Sequence, residues 1–326
     1  MFVSDHSLSF KMSNKSDRKG NDMKEFMIPS KGKGELHCCK WDEVNEIKGV
    51  VQLVHGICEH VSRYAPLAEF LNAKGYVVVG EDHMGHGGSI AGGSTQGYFD
   101  GGWRNAVDDT YALCEKTKAE YPSLPYFIYG HSMGSFLTRT ILYRYPEAGF
   151  AGAVISGTGW QPKPVLKLGK AVCKMQARHV GETNSSPIVS KLMFGNYNNS
   201  YENPRTVFDW LSRDPAVVDD YIADPLSGFE ASVGLSGEML GGMEMNQRME
   251  NLLKMPKNLP VLFVAGDHDP VGSMGKGVQK TAEAFRKAGL LNVTVKLYPQ
   301  GRHEMHNELN KDEVYADVLK FLNKHS

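Results

Sequence analysis

The sequence predicts an α/β protein: a mostly parallel central sheet flanked by helices, with a mainly helical insertion between two of its strands. Three features predict it. Short β-branched runs alternate with longer amphipathic stretches, as in a sheet built by strand–helix crossovers. The short runs are apolar throughout, as strands covered on both faces must be. The alternation lapses once, over roughly residues 160–255, and then resumes.

The predicted strands are VVQLVHG (50–56), YVVVGED (76–82), YFIYGHS (126–132), GAVISG (152–157), VLFVAGD (261–267) and VTVKLY (293–298). Helices are expected where apolar residues recur every three or four positions. Residues 64–74 place Leu67, Phe70 and Leu71 on one face, and residues 103–120 do so with Ala106, Thr110, Leu113 and Thr117. The last is 312–324, with Tyr315, Val318, Leu319 and Leu322. Residues 160–256 hold no evident strand and are expected to form a helical cap, leaving 23–159 and 257–326 as the core. Five methionines fall between Met239 and Met255. They fill irregular gaps in a core or offer an adaptable surface to flexible apolar ligands, and the sequence leaves both readings open.

Composition narrows the function. Of 326 residues, 41% are hydrophobic and 22% charged, which excludes a disordered or coiled-coil chain. Thirty-six basic against 37 acidic side chains leave no field to attract a polyanion, so nucleic acid is not an expected partner. Five cysteines cannot all pair, and Cys38 adjoins Cys39, so a reducing, cytoplasmic setting is expected. No run reaches the ~18 apolar residues of a membrane span. Residues 1–22 are polar and read as a disordered leader, with Met12 and Met23 as alternative starts.

The most specific motif is G-H-S-M-G at 130–134. It follows a predicted strand and opens a predicted helix (136–145), the placement of a nucleophile elbow. There the serine turns sharply on a strained backbone, and Gly130 and Gly134 allow the close approach. Ser132 is therefore the candidate nucleophile. It needs a base, held in turn by an acid, in the chain order Ser, Asp/Glu, His. VLFVAGDHDP supplies Asp267 and Asp269; Asp267 suits the turn itself, and Asp269, farther out on the loop, is the expected acid. GRHEMHNE supplies His303 and His306, and His303, earliest on its loop, is the expected base. Backbone N–H groups of Met133 and Ile57 are placed to form an oxyanion hole.

Together these residues resemble the α/β hydrolase superfamily, in particular its monoglyceride lipase and lysophospholipase-like group, of serine aminopeptidase S33 type. The resemblance is carried by LVHGICEHVSRY, EDHMGHGGS, YPSLPYFIYGHSMGS and GDHDPV…GRHEMHNE, with H-G-x-x-E-H-x-x-R-Y the most specific string. It implies the triad Ser132, Asp269 and His303, a cap over the site, and a polar headgroup pocket matched by Glu59, Arg63 and His306. Glu59 and Arg63 also stand four apart, the spacing of a helical ion pair. Ser135 departs from the second glycine found after many such elbows.

The expected activity is cleavage of carboxylic esters, monoacylglycerol or lysophospholipid in type, through an acyl-enzyme. An aminopeptidase or amidase with the same triad is the alternative, with Glu182, Glu202 or Glu230 holding the substrate ammonium. No cofactor is expected. His83-x-x-His86, His303-x-x-His306 and Cys38-Cys39 beside His37 lack the paired spacing of a structural metal site, so no metal is expected either. The stretch 165–179, with Lys167, Lys170, Lys174 and Arg178 among apolar residues, suits weak peripheral contact with a membrane, though a solvated cap helix is the more ordinary reading.

Overall fold

The computed structural model describes residues 23–326; the expected leader lies outside them. Eight strands form one sheet: β1 (Lys24–Pro29), β2 (Glu35–Trp41), β3 (Gly49–Val54), β4 (Tyr76–Glu81), β5 (Tyr126–His131), β6 (Gly152–Ser156), β7 (Val261–Gly266) and β8 (Val293–Tyr298). Their order is β1-β2-β4-β3-β5-β6-β7-β8. From β4 onward every pairing is parallel, whereas β1 and β2 join antiparallel at one edge.

The six predicted strands are β3 to β8. The edge hairpin β1–β2 was not predicted, because its sequences KEFMIP and ELHCCKW mix charge with apolar residues and half face solvent. The helices are α1 (Ala65–Asn72), α2 (Gly102–Glu120), α3 (Met133–Arg144), α4 (Lys163–Val180), α5 (Pro187–Phe194), α6 (Pro215–Ala223), α7 (Val233–Met245), α8 (Met249–Leu252), α9 (Lys276–Lys287) and α10 (Lys311–His325).

Strand period two divides the core into two layers. Val50 and Val54 of β3, Ile128 of β5 and Phe263 of β7 face one way and pack with Val107 of α2, Leu137 and Ile141 of α3 and Phe285 of α9. Val51, Leu53, Phe127, Tyr129 and Val264 face the other way, against Leu67 and Leu71 of α1 and Val314, Val318 and Leu322 of α10. Each central strand is buried along its whole length, which explains its unbroken apolar sequence. One polar residue, Gln52, interrupts β3 and is satisfied there: it donates to the Thr110 carbonyl at 2.8 Å and accepts from Tyr126 Oη at 2.9 Å.

Between β6 and β7 the chain leaves the sheet for α4 to α8, with no strand among these described residues. Ser232 caps α7 by accepting from the Leu235 N–H at 3.0 Å, and Asp214 caps α6 by accepting from Ala216 at 3.0 Å. Buried Leu166, Cys173, Leu235 and Leu240 join α4 to α7. At Gly242, α7 lies so close to Trp103 of α2 that a Cβ would collide with the indole. The insertion thus rests on the core with the α7 backbone against the α2 indole.

Candidate active site

The sharp turn after β5 places Ser132 at φ 52° and ψ −119°, a left-handed conformation strained for a residue with a Cβ. The turn is held from both sides. Ser132 N–H donates to the Ser156 carbonyl of the neighbouring strand at 3.0 Å, and the Ser132 carbonyl accepts from Ser135 N–H at 2.9 Å. A Cβ on Gly134 would strike the Val54 and His55 carbonyls, and one on Gly130 would strike Thr138 and the Gly134 carbonyl. The two glycines are therefore required by backbone contact. Ser132 precedes the N-terminus of α3, where partial positive charge favours an anion.

His303 comes from the loop after β8 and Asp269 from the loop after β7, and both are fully buried. His303 Nδ1 lies 3.1 Å from each Asp269 carboxylate oxygen. Burial alone would push this imidazole down. The charge of Asp269 and its hydrogen bond outweigh that, and His303 titrates above its ordinary value. The Trp210 ring, 5.0 Å away between centroids, covers the imidazole, and the His303 N–H donates to the Trp210 carbonyl at 3.3 Å. His303 Nε2 is buried and without a hydrogen-bond partner among the described residues. It shares a cavity with Ser132, and the bond between them is not formed here. Asp267, by contrast, accepts from Gln300 N–H at 2.7 Å within the exposed turn.

Ile57, after β3, lines both cavities with Ser132, whereas Met133, the next residue after Ser132 and the first of α3, lines neither. Among the described residues neither amide N–H is engaged by a backbone or side-chain acceptor. Two cavities meet at Ser132 and Ile57. One, of about 290 Å³, carries Glu59, Glu304 and Glu230 on its wall. The other, of about 270 Å³, is apolar and lined by Leu166, Leu240, Met239 and Met243 of the insertion. Met255 is instead buried core, and Met245 and Met249 are exposed. The methionine tract therefore divides between both readings.

Each polar letter of H-G-x-x-E-H-x-x-R-Y has a partner. Glu59 accepts from Gly56 N–H at 2.5 Å and from Tyr64 Oη at 2.8 Å. His60 Nε2 pairs with Asp224 of the insertion at 2.7 Å. Arg63 is bonded to Glu59 and makes two bonds of 2.8 Å to Glu304. Burial would raise the Glu304 carboxyl, but Arg63 holds it down at about 2. For Glu59 burial prevails over Arg63, and its value is raised.

The expected headgroup trio is thereby divided. Glu59 reaches the cavity wall, whereas Arg63 stands behind it, clamped between carboxylates with its guanidinium 4.7 Å over the Tyr221 ring. His306 also lies behind the wall, stacked on Tyr64 at 4.4 Å with neither ring nitrogen bonded among the described residues. Sequence reasoning missed Glu304 and Trp210. The signal for Glu304 was available in its place beside His303; Trp210 lies in the insertion, where no local pattern pointed to it.

Of the three glutamates considered for an ammonium, Glu230 lines the cavity, and Glu182 and Glu202 do not. Among the described residues one group has metal-ligand donors close together: Glu25, His37 and Cys39, within 4.8 Å. His37 and Cys39 stand together in the sequence, and the β1–β2 register brings Glu25 opposite Cys39 as the third member, which chain spacing alone does not show. None of its members lines either cavity.

The profile of the family described as "Serine aminopeptidase, S33" matches residues 45–310. The monoacylglycerol lipase of Mycolicibacterium smegmatis is 30% identical over 290 residues, spanning 87% of this chain and 91% of its own. The monoglyceride lipase of Mus musculus is 26% identical over 292 residues, spanning 88% and 85%. A thermostable carboxyl esterase from Bacillus coagulans, solved in complex with glycerol, superposes with a TM-score of 0.86 at 31% identity, covering 93% of this chain and 98% of the other. Sheet order, elbow and family match agree: this chain belongs to the serine aminopeptidase S33 family and has the α/β hydrolase fold.

Proposed function

We propose that the protein is a serine hydrolase of carboxylic esters, with monoacylglycerol-type substrates. One observation carries the reading: a strained serine at an elbow shares its cavity with a buried imidazole whose far nitrogen is held by a carboxylate. Ser132 Oγ turns onto His303 Nε2, gives up its proton and attacks the ester carbonyl. Such bonds often close only when substrate arrives. Asp269 orients the imidazole and stabilises its charged form. The Ile57 and Met133 N–H groups receive the oxyanion. Collapse breaks the ester C–O bond, and His303 returns its proton to the departing alcohol. Water, deprotonated by His303, then cleaves the acyl-enzyme, releasing the fatty acid and restoring Ser132.

The apolar cavity under α4 and α7 suits the acyl chain, and the carboxylate-walled one suits the alcohol. Residues 160–256 then act as the cap that joins the two. Glycerol in the Bacillus coagulans esterase supports a polyol alcohol, and relatives named as monoacylglycerol lipases support the ester over the amide alternative. A cytoplasmic location is supported by five free, buried cysteines, and no described helix is long and apolar enough to cross a membrane. Exposed Val165, Leu168 and Leu192 at the rim of the acyl cavity support peripheral contact with lipid.

The test is Ser132→Ala. On monoacylglycerol its kcat should fall by about 10³-fold or more, with loss of fluorophosphonate labelling. Retention of near-full esterase activity would refute the proposal.

A further inference from the structure

We propose that the alcohol side of the cavity selects by charge: it prefers alcohols bearing an ammonium group to neutral ones of the same shape, and rejects those bearing phosphate or carboxylate. This rests on the ester hydrolase reading above and adds the substrate's headgroup class.

The charges on the wall are one-sided. Glu59, Glu304 and Glu230 line this cavity, and no lysine or arginine does among the described residues. The nearest guanidinium, Arg63, is already shared between Glu59 and Glu304. One positive charge set between two carboxylates leaves an excess of negative charge. Glu59 and Glu304 are 3% and 2% exposed, so water screens that excess poorly. Burial is the largest influence on Glu59 and raises it; the neighbouring Glu304 charge adds to that rise and Arg63 opposes it.

An anionic headgroup would lose its water here and meet no lysine or arginine among the described lining residues, and His303 is the one lining imidazole whose titration is raised. An ammonium would meet carboxylates and aromatic rings, because Trp210, Tyr221, Phe208 and Phe229 line the same cavity. Aromatic faces beside carboxylates suit a quaternary ammonium, which cannot donate hydrogen bonds and is held by field and π-face alone. Glu230, exposed at this wall, adds to the field that draws a cation inward.

The experiment compares three hexanoate esters: of choline, of 3,3-dimethylbutanol (its neutral isostere) and of 2-phosphoethanol. For the full chain, kcat/KM should be about tenfold higher for the choline ester than for the isostere, and about tenfold lower for the phosphate ester. Glu230→Gln should narrow the choline-to-isostere ratio by about threefold, as should raised salt. Equal values for choline and isostere, or phosphate turnover matching the isostere, would overturn the proposal. If no ester or monoacylglycerol is hydrolysed, the chemical reading fails separately. The charge preference is then read by calorimetric binding of the same three esters to Ser132→Ala: tighter choline binding supports it, and indifference to charge overturns it.

Discussion

The Ser135 hydroxyl donates a 2.6 Å hydrogen bond to the carbonyl of Ser132, three residues earlier at the strained elbow. That carbonyl also accepts from the Ser135 and Phe136 N–H groups, so the side chain is a third tie on a backbone with positive φ. The serine that departs from the common glycine therefore stabilises the turn. Ser135→Gly removes this bond and adds backbone freedom in the first turn of α3, costing about 1–2 kcal/mol of stability. The denaturation midpoint should fall accordingly, while kcat stays within about threefold, because no reacting atom is lost.

Asp269 raises the His303 imidazole against a burial effect that opposes it. Since the base must be neutral to accept the Ser132 proton, kcat/KM should rise with pH along a limb above the ordinary imidazole value of ~6.5. Asp269→Asn keeps the shape but removes the charge. The limb should then move to lower pH while the plateau drops by about 10⁴-fold, because the tautomer is no longer held. A pH–rate profile with an unmoved limb would break the assigned link between the two residues.

Much of this was legible because strand, turn and helix are local. Gly130, Ser132 and Gly134 declare the elbow within five residues, and chain order together with position on each loop brought Asp269 and His303 forward. The edge hairpin was hidden by its half-exposed faces, since Met27 and Cys38 obey no single pattern. Headgroup residues were harder still. Arg63 and Glu304 meet across 241 positions, and which of them faces the cavity depends on how a buried cation divides its bonds. His306 sits three residues from His303 and still lies behind the wall, because the loop turns through a short 3₁₀ segment between Met305 and Asn307.

The Arg63–Glu304 pair predicts the acid limb of stability. Glu304 titrates at about 2 when folded, below its unfolded value of ~4.5. A depressed carboxylate contributes stability above the unfolded value and loses it as pH falls through the folded one. Denaturant stability should therefore decline between about pH 4.5 and pH 2. In Glu304→Gln that decline should be shallower and should start from a plateau lower by about 3 kcal/mol, because a buried partner of Arg63 has lost its charge. A variant as stable at neutral pH as the parent would show the pair to be energetically idle.

Met243 and Leu240 of α7 line the apolar cavity and not the one walled by carboxylates. Neither lines the cavity that holds His303, so filling their space should change which acyl chains fit and leave the chemistry alone. Met243→Trp enlarges a buried side chain and shortens the cavity at some cost in packing, roughly 1–3 kcal/mol. Hydrolysis of p-nitrophenyl dodecanoate should fall by about tenfold or more relative to the butanoate, whose kcat/KM should stay within about threefold of the parent. The ratio between the two esters separates this from general destabilisation, which lowers both together. If dodecanoate and butanoate decline equally in a folded variant, the acyl chain lies elsewhere and the two cavities must exchange roles.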